Sequence, residues 1–142
     1  MKKITIVYWS GTGNTQMMAA AVAEGAKEAG AEVKLISAEE AGVDIVKDAD
    51  AIALGCPSMG SEQLEECIME PFMCDIDGLI SGKNVALFGS YGWGSGEWMQ
   101  DWEERVRQDG ATIVDGEGVI TNGTPDDDCL EKCKDIGNML AK

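Results

Sequence analysis

The chain has 142 residues, 44% of them hydrophobic, and a formal net charge of −15. That is enough apolar material for a single domain over 1–142, and the acidic surplus repels nucleic acid and anionic membranes while favouring basic partners. The chain has no histidine, which removes Ser-His-Asp and Cys-His nucleophile systems and imidazole metal ligands together.

The apolar run Ile4-Thr5-Ile6-Val7-Tyr8-Trp9 predicts a first strand over about 3–9. A helix is expected over about 13–29, with Met18, Val22, Gly25 and Ala29 at helical spacing and Gly30 ending it. A second strand over 32–37 and a weak helical stretch over about 38–47 come next. The third strand, 51–55, is apolar on both faces, as a covered parallel strand should be. A helix then starts near Leu64 and meets Pro71, which must kink it or begin a new turn. Val85-Ala86-Leu87-Phe88 marks a fourth strand over 84–89. Over 97–108, Trp98, Trp102 and Val106 form the buried stripe of a helix, and Asp101 and Arg105 are spaced to pair on its flank. A fifth strand over 112–120 is broken by Asp115-Gly116-Glu117-Gly118. The last helix, about 126–140, turns Leu130, Cys133, Ile136 and Leu140 inward, and the carboxylates at its start suit the positive end of its dipole.

Strands alternating with helices predict an α/β domain, a doubly wound parallel sheet with helices on both faces. Ligands in such sheets sit beyond the C-terminal strand edge, so the loops after strands one, three and four should converge. The first, Ser10-Gly11-Thr12-Gly13-Asn14-Thr15, holds hydroxyls, glycines and no cation. It can cradle a phosphate on neutral donors, and it can equally be a polar turn capped by Thr12 or Asn14. It lacks the Gly-Lys-Ser/Thr of a nucleotide P-loop and the third glycine of a Rossmann fingerprint. After strand three comes Cys56-Pro57-Ser58-Met59-Gly60-Ser61-Glu62, with Glu62 where a phosphatase loop starting at Cys56 would need Arg. After strand four comes Gly89-Ser90-Tyr91-Gly92-Trp93-Gly94-Ser95-Gly96, with four Gly, a Tyr and a Trp in eight residues. Such a loop beside a phosphate cradle suits a flat phosphorylated ring, with Trp93 as a stacking face and Met59 on the other side.

Five cysteines, an odd number, argue for free thiols. Cys129 and Cys133, four apart, make an incomplete ligand set and are read as one buried thiol and one near the surface. The N-terminus enters the first strand without the apolar region of a signal peptide, and no run of about 18 apolar residues is present. A cytoplasmic location and no membrane association are therefore expected.

The stretches Tyr8-Trp9-Ser10-Gly11-Thr12-Gly13-Asn14-Thr15, Met59-Gly60 with Glu62, and Leu87-Phe88-Gly89-Ser90-Tyr91-Gly92-Trp93-Gly94 resemble those of the flavodoxins. The similarity covers the whole chain and is to the short-chain type found in anaerobic bacteria. It implies a five-stranded parallel sheet in the order 2-1-3-4-5 and one non-covalent FMN. Ser10, Gly11, Thr12, Gly13, Asn14 and Thr15 would hold its phosphate. Trp93 would stack on the outer face of the ring and Met59 would flank the inner face. Glu62 would accept from the ring N3–H. Tyr91 and Gly92 would contact the pyrimidine edge, with Ser58, Ser61, Ser90 and Gly94 in the same loops and Asn122 close by.

By the same resemblance the Gly60 carbonyl turns to accept a hydrogen bond from flavin N5 on one-electron reduction. That favours a semiquinone, and surplus acidic charge disfavours the anionic hydroquinone. Relatives often follow Met-Gly with Asp, where this chain has Ser61, which bears on the energy of that turn. The function implied is a low-potential one-electron carrier, a monomer that docks on basic surfaces of ferredoxin- or flavodoxin-type reductases and oxidoreductases. Three other readings compete with it. An FMN-dependent quinone or nitro reductase needs room above the ring, where Trp93 stands. A flavodoxin-like activator of ribonucleotide reductase would share the cofactor and differ in partner. A response-regulator receiver needs acidic residues where Trp9-Ser10-Gly11 and Cys56-Pro57-Ser58 stand.

Overall fold

Ile4, Ile6 and Val7 are fully or almost fully buried, because the strand that carries them is covered on both faces. In the computed structural model, which describes residues 2–59, 63–92, 94 and 96–142, this strand is β1 (Lys3–Tyr8). It lies between β2 (Glu32–Ser37) and β3 (Ala51–Gly55), parallel to both. β4 (Asn84–Tyr91) follows β3, and β5 (Thr112–Ile113) pairs with the start of β4. β6 (Val119–Asn122) pairs with the end of β4, Phe88 opposite Val119 through Tyr91 opposite Asn122. The order β2-β1-β3-β4-β5 matches the expected fold, with the fifth position shared between two short strands.

The split has a local cause. A 3₁₀ turn, Val114–Gly116, separates β5 from β6, with Asp115 at φ 63° and Gly116 at φ 78°. Positive φ at two successive residues cannot continue a strand.

Alternation along the strands divides the core in two. Val7, Ile52, Leu54, Val85 and Leu87 face one side, covered by α2 (Val43–Asp48), α3 (Met69–Ile76) and α4 (Glu97–Gln108). Ile4, Ile6, Ala51, Ala53, Ala86 and Phe88 face the other, under α1 (Asn14–Glu28) and α5 (Asp127–Ala141). Alanines in the central strands leave room for these two long helices. The helices pack backbone to backbone: a Cβ on Gly25 would strike the Lys134 carbonyl, and one on Gly137 the Val22 carbonyl. Trp98, Trp102 and Val106 form the buried stripe expected of α4.

Several boundaries differ from the sequence expectations. β4 runs two residues further than 84–89, so Ser90 and Tyr91 belong to the strand. α2 is shorter than expected and starts at Val43, after a turn over 38–40. α3 starts at Met69 rather than near Leu64, and Pro71 sits in its first turn, where a missing N–H leaves no helical bond unmade. Ala29 is the exposed C-cap of α1 rather than part of its buried stripe. Arg105 bonds to Glu70 and Asp77 on α3 side rather than to Asp101, because the guanidinium reaches across the helix–helix contact. Cys129 and Cys133 are both buried, against the expectation of one near the surface, since α5 is pressed onto the sheet along that face. Among the described residues no helix is long and apolar enough to cross a membrane, and no cluster of three or more potential metal ligands occurs.

Candidate functional site

The chain leaves β1 at Tyr8 and enters α1 through Gly13, at φ +95°. Glycine takes up that left-handed conformation without strain, which is the reason for a glycine here. Neither Thr12 nor Asn14 caps the helix: α1 has no side-chain cap. Instead Ser10 Oγ accepts from the N–H of Gly13 at 3.1 Å and of Gln16 at 3.3 Å. Two backbone donors thus already converge on one oxygen. The N–H groups of Asn14 and Thr15 have no acceptor among the described residues. Ser10, Gly13 and Asn14 are half-buried, and Gly11 and Thr12 are exposed. Gly11 lies over the Trp9 ring, where a Cβ would come within 3.1 Å of Cη2. A small loop of unspent donors at the positive end of a helix, with no cation in it, fits a phosphate group.

Thr15, at the first turn of α1, and Ser90, near the end of β4, are both buried, and their hydroxyl oxygens lie 3.3 Å apart. One hydroxyl proton makes that bond and the other is left over, so the pair retains one donor for an incoming acceptor. Ser90 also anchors the second loop, its carbonyl accepting from the Ser58 N–H at 2.9 Å. The Tyr91 carbonyl accepts from Gly123 N–H at 2.9 Å, which places the end of β6, including Asn122, beside Tyr91. The loops after β1, β3, β4 and β6 are therefore tied together at the C-terminal sheet edge, where the fold class predicts a ligand.

Met59 is half-buried and pairs with Gln63, each N–H donating to the other's carbonyl at 2.9 and 3.0 Å. Of the residues expected to grip the ring, Gly60, Ser61, Glu62 and Trp93 lie outside the described residues. Ser58 and Tyr91 are half-buried, and Gly92 and Gly94 are exposed, Gly94 at φ +90°. Tyr91 packs on Trp98 with ring centroids 5.6 Å apart and planes tilted by 50°. Trp98 Nε1 donates to the Cys56 carbonyl at 3.1 Å, joining α4 to the loop after β3.

Cys56 is a supporting group. Its buried Sγ accepts from the Glu65 N–H at 3.4 Å and donates to the Pro57 carbonyl. Burial pushes its pKa up to about 12, only partly offset by the Glu65 N–H and reinforced by the Glu65 and Glu70 carboxylates. The group is a thiol at neutral pH, unsuited to nucleophilic work.

Sequence reasoning missed Glu65, the residue that holds this loop from below. It is only 7% exposed. Its carboxylate accepts from Cys67 at 2.8 Å, Ile68 at 2.6 Å and Met69 at 3.0 Å. It occupies the start of α3, which explains why that helix begins at Met69. Burial alone would raise its pKa, but the three backbone donors outweigh burial and hold it below the ordinary value. No sequence signal marked it, because the expected helix start near Leu64 placed Glu65 inside the helix rather than before it.

A flavodoxin family profile matches residues 6–137. The chain is 48% identical to the flavodoxin of Megasphaera elsdenii over 139 residues, covering 98% of both chains. It is 47% identical to the flavodoxin of Clostridium beijerinckii over 137 residues, covering 94% of this chain and 99% of that one. Its fold matches the solution structure of the two-electron reduced Megasphaera elsdenii flavodoxin with a TM-score of 0.89, over 97% of this chain and 98% of that one.

Proposed function

This chain belongs to the flavodoxin family, an electron carrier on bound FMN rather than an enzyme, and from that premise we propose how its own residues divide the work. FMN, when bound, supplies the reversible electron transfer, and the protein supplies binding, orientation and electrostatics. The N–H groups of Asn14 and Thr15, with the hydroxyls of Ser10, Thr12 and Thr15, hold the phosphate. Gly11 and Gly13 let the backbone come close. Met59 and Trp93 enclose the ring, and Ser58, Ser90, Tyr91, Gly92 and Gly94 line its edge. Glu62 accepts a ring N–H. Gly60, having no side chain, presents its carbonyl in either direction, and Ser61 sets the cost of that turn. The acidic residues about the site keep the potential low, those within about 8–10 Å counting most because salt screens the rest.

The carrying observation is the set of unspent donors at the entry to α1, fastened through Thr15 and Ser90 to the loops after β3 and β4. The chain acts with redox partner proteins, and we assign those partners basic docking surfaces from its charge of −15. All five cysteines are free, which suits a reducing compartment such as the cytoplasm.

The test is stepwise anaerobic reduction of the purified protein, followed by its visible spectrum. Two resolved one-electron steps in a yellow protein are expected. A single two-electron step would exchange the carrier for a two-electron reductase. A colourless protein that takes up no FMN would overturn the reading altogether.

A further inference from the structure

Gly11 is exposed, and its φ lies outside the left-handed region that Gly13 occupies, so conformation does not call for glycine there. Space does. A Cβ on Gly11 would stand 3.1 Å from Cη2 and 3.3 Å from Cζ3 of Trp9, closer than side chains ordinarily pack. Among the described residues no other atom comes within 4 Å of that point. The far edge of the indole therefore lies beside Gly11. Trp9 is half-buried, and its side chain packs on the core under α2, α3 and α4. Its N–H donates to the Gly55 carbonyl at 3.0 Å, which carries the pairing of β1 with β3 one residue past Tyr8.

The loop has little else to hold this part of it. Ser10 Oγ gathers the N–H groups of Gly13 and Gln16, and the Gly13 carbonyl accepts from the Met17 N–H, so the helix end of the loop is fixed. Among the described residues no backbone hydrogen bond reaches Gly11 or Thr12, through N–H or carbonyl. Their N–H groups join those of Asn14 and Thr15 as open donors. A backbone segment with no partner samples many orientations, and ordering it on binding subtracts from affinity. The Trp9 ring is a tertiary contact that limits this sampling at Gly11.

We propose that Trp9 is a positioning residue for the phosphate loop. Its indole is a shelf rooted in the sheet, against which Gly11 rests, so that the open N–H groups are held in one arrangement before the phosphate arrives. The proposal rests on the reading of this loop as the FMN phosphate site and adds to it a residue from outside the loop. Trp9 acts through Gly11. The two form a matched pair, the absence of a side chain at one position making room for the ring at the other. The ring belongs to the core and the glycine to the site, so the contact passes the rigidity of the sheet to the donors.

The test compares the release of FMN and of riboflavin, which lacks the phosphate, from the loaded protein. The rise in free-flavin fluorescence after dilution gives each rate. Trp9→Leu removes the shelf. It is expected to speed FMN release about three- to tenfold and to change riboflavin release by less than about twofold. Gly11→Ala sets a methyl against the ring. It is expected to speed FMN release about threefold or more in the parent and to have no effect where Trp9 is already Leu, because both positions act through one contact. Gly11 is exposed, so Gly11→Ala with the two flavins carries the test should Trp9→Leu not fold. Equal acceleration of both flavins would assign Trp9 to general stability and overturn the proposal. So would effects that multiply in the double variant, or unchanged FMN release in both single variants. A parent protein that takes up no FMN would remove the phosphate-site reading itself, whereas a loaded parent with unaltered variants counts against the Trp9 shelf alone.

Discussion

Thr15 and Ser90, 75 positions apart in the chain, are both buried and face each other with hydroxyl oxygens 3.3 Å apart. The contact fastens the start of α1 to the end of β4, so in the proposed binding mode phosphate and ring share a support. Replacing Thr15 with Val keeps the shape and removes the hydroxyl. The expected result is a loss of FMN affinity of about tenfold or more, since a hydrogen bond to a charged group is worth about 1.5–3 kcal/mol. Riboflavin, which lacks the phosphate, should lose much less. Fluorescence titration of the apoprotein with both ligands checks this, and equal losses would place the effect in the fold.

Asp109, at the end of α4, faces Asp77 with its Oδ2 buried and unpartnered among the described residues. Burial raises the Asp109 pKa, and the neighbouring Asp77 raises it further, to about 6, with Arg105 opposing. Asp77 is held below its usual range: burial works against ionisation, but bonding to Arg105 prevails. An acid whose folded pKa exceeds its unfolded value of about 3.9 adds stability below that value and loses it as pH rises through the folded one. The Asp109 contribution should therefore fade between about pH 4 and pH 6. Asp109→Asn keeps a donor toward Asp77 at all pH values. It should stabilise the protein at pH 7.5 by on the order of 1 kcal/mol and flatten this part of the curve. Thermal unfolding of both proteins between pH 4.5 and 7.5 is the measurement.

Glu65 works in the opposite sense. Its folded pKa is lowered, so its contribution is present at neutral pH and is lost as pH falls below about 4.3 and through the folded value. Glu65→Gln can keep an oxygen for the Ile68 and Met69 N–H groups but then turns its NH₂ toward the Cys67 N–H. A cost of about 1–3 kcal/mol at pH 7 is expected, shrinking at pH 3.5. Urea unfolding at the two pH values reads the difference.

Arg105 binds Glu70 at 2.8 Å and Asp77 at 2.7 Å, so one guanidinium ties α4 to both ends of α3. Its flat fork donates to Asp77 from both Nε and Nη2, which an ammonium cannot copy. Arg105→Lys should therefore cost about 1 kcal/mol, most of what Arg105→Ala costs, because the side chain is partly exposed and solvent weakens the pairs. Denaturant midpoints for the two variants and the parent decide it.

Much of this protein was legible because it is written locally. The period of apolar residues placed the strands and helices, and the run of glycine and hydroxyl residues after β1 marked the loop that enters α1 without a cation. The alternation of elements and the resemblance of three loops led to the sheet order and to FMN. What the linear text did not contain were the pairings across it. Ser90 and Tyr91 have the composition of a loop, but pairing with Thr121 and Asn122 of β6 draws them into β4. Helical spacing pairs Arg105 with Asp101, its neighbour on the same helix, while its carboxylates come from α3 and its C-cap, 35 and 28 positions away. Glu65 had no motif of its own and came to accept the N–H groups of Ile68 and Met69 at the start of α3 only when the chain turned over it. Propensity and period act over a few residues, so a sequence displays them directly. A buried hydrogen bond between distant residues depends on the register of every strand and helix between them, and only the folded chain decides it.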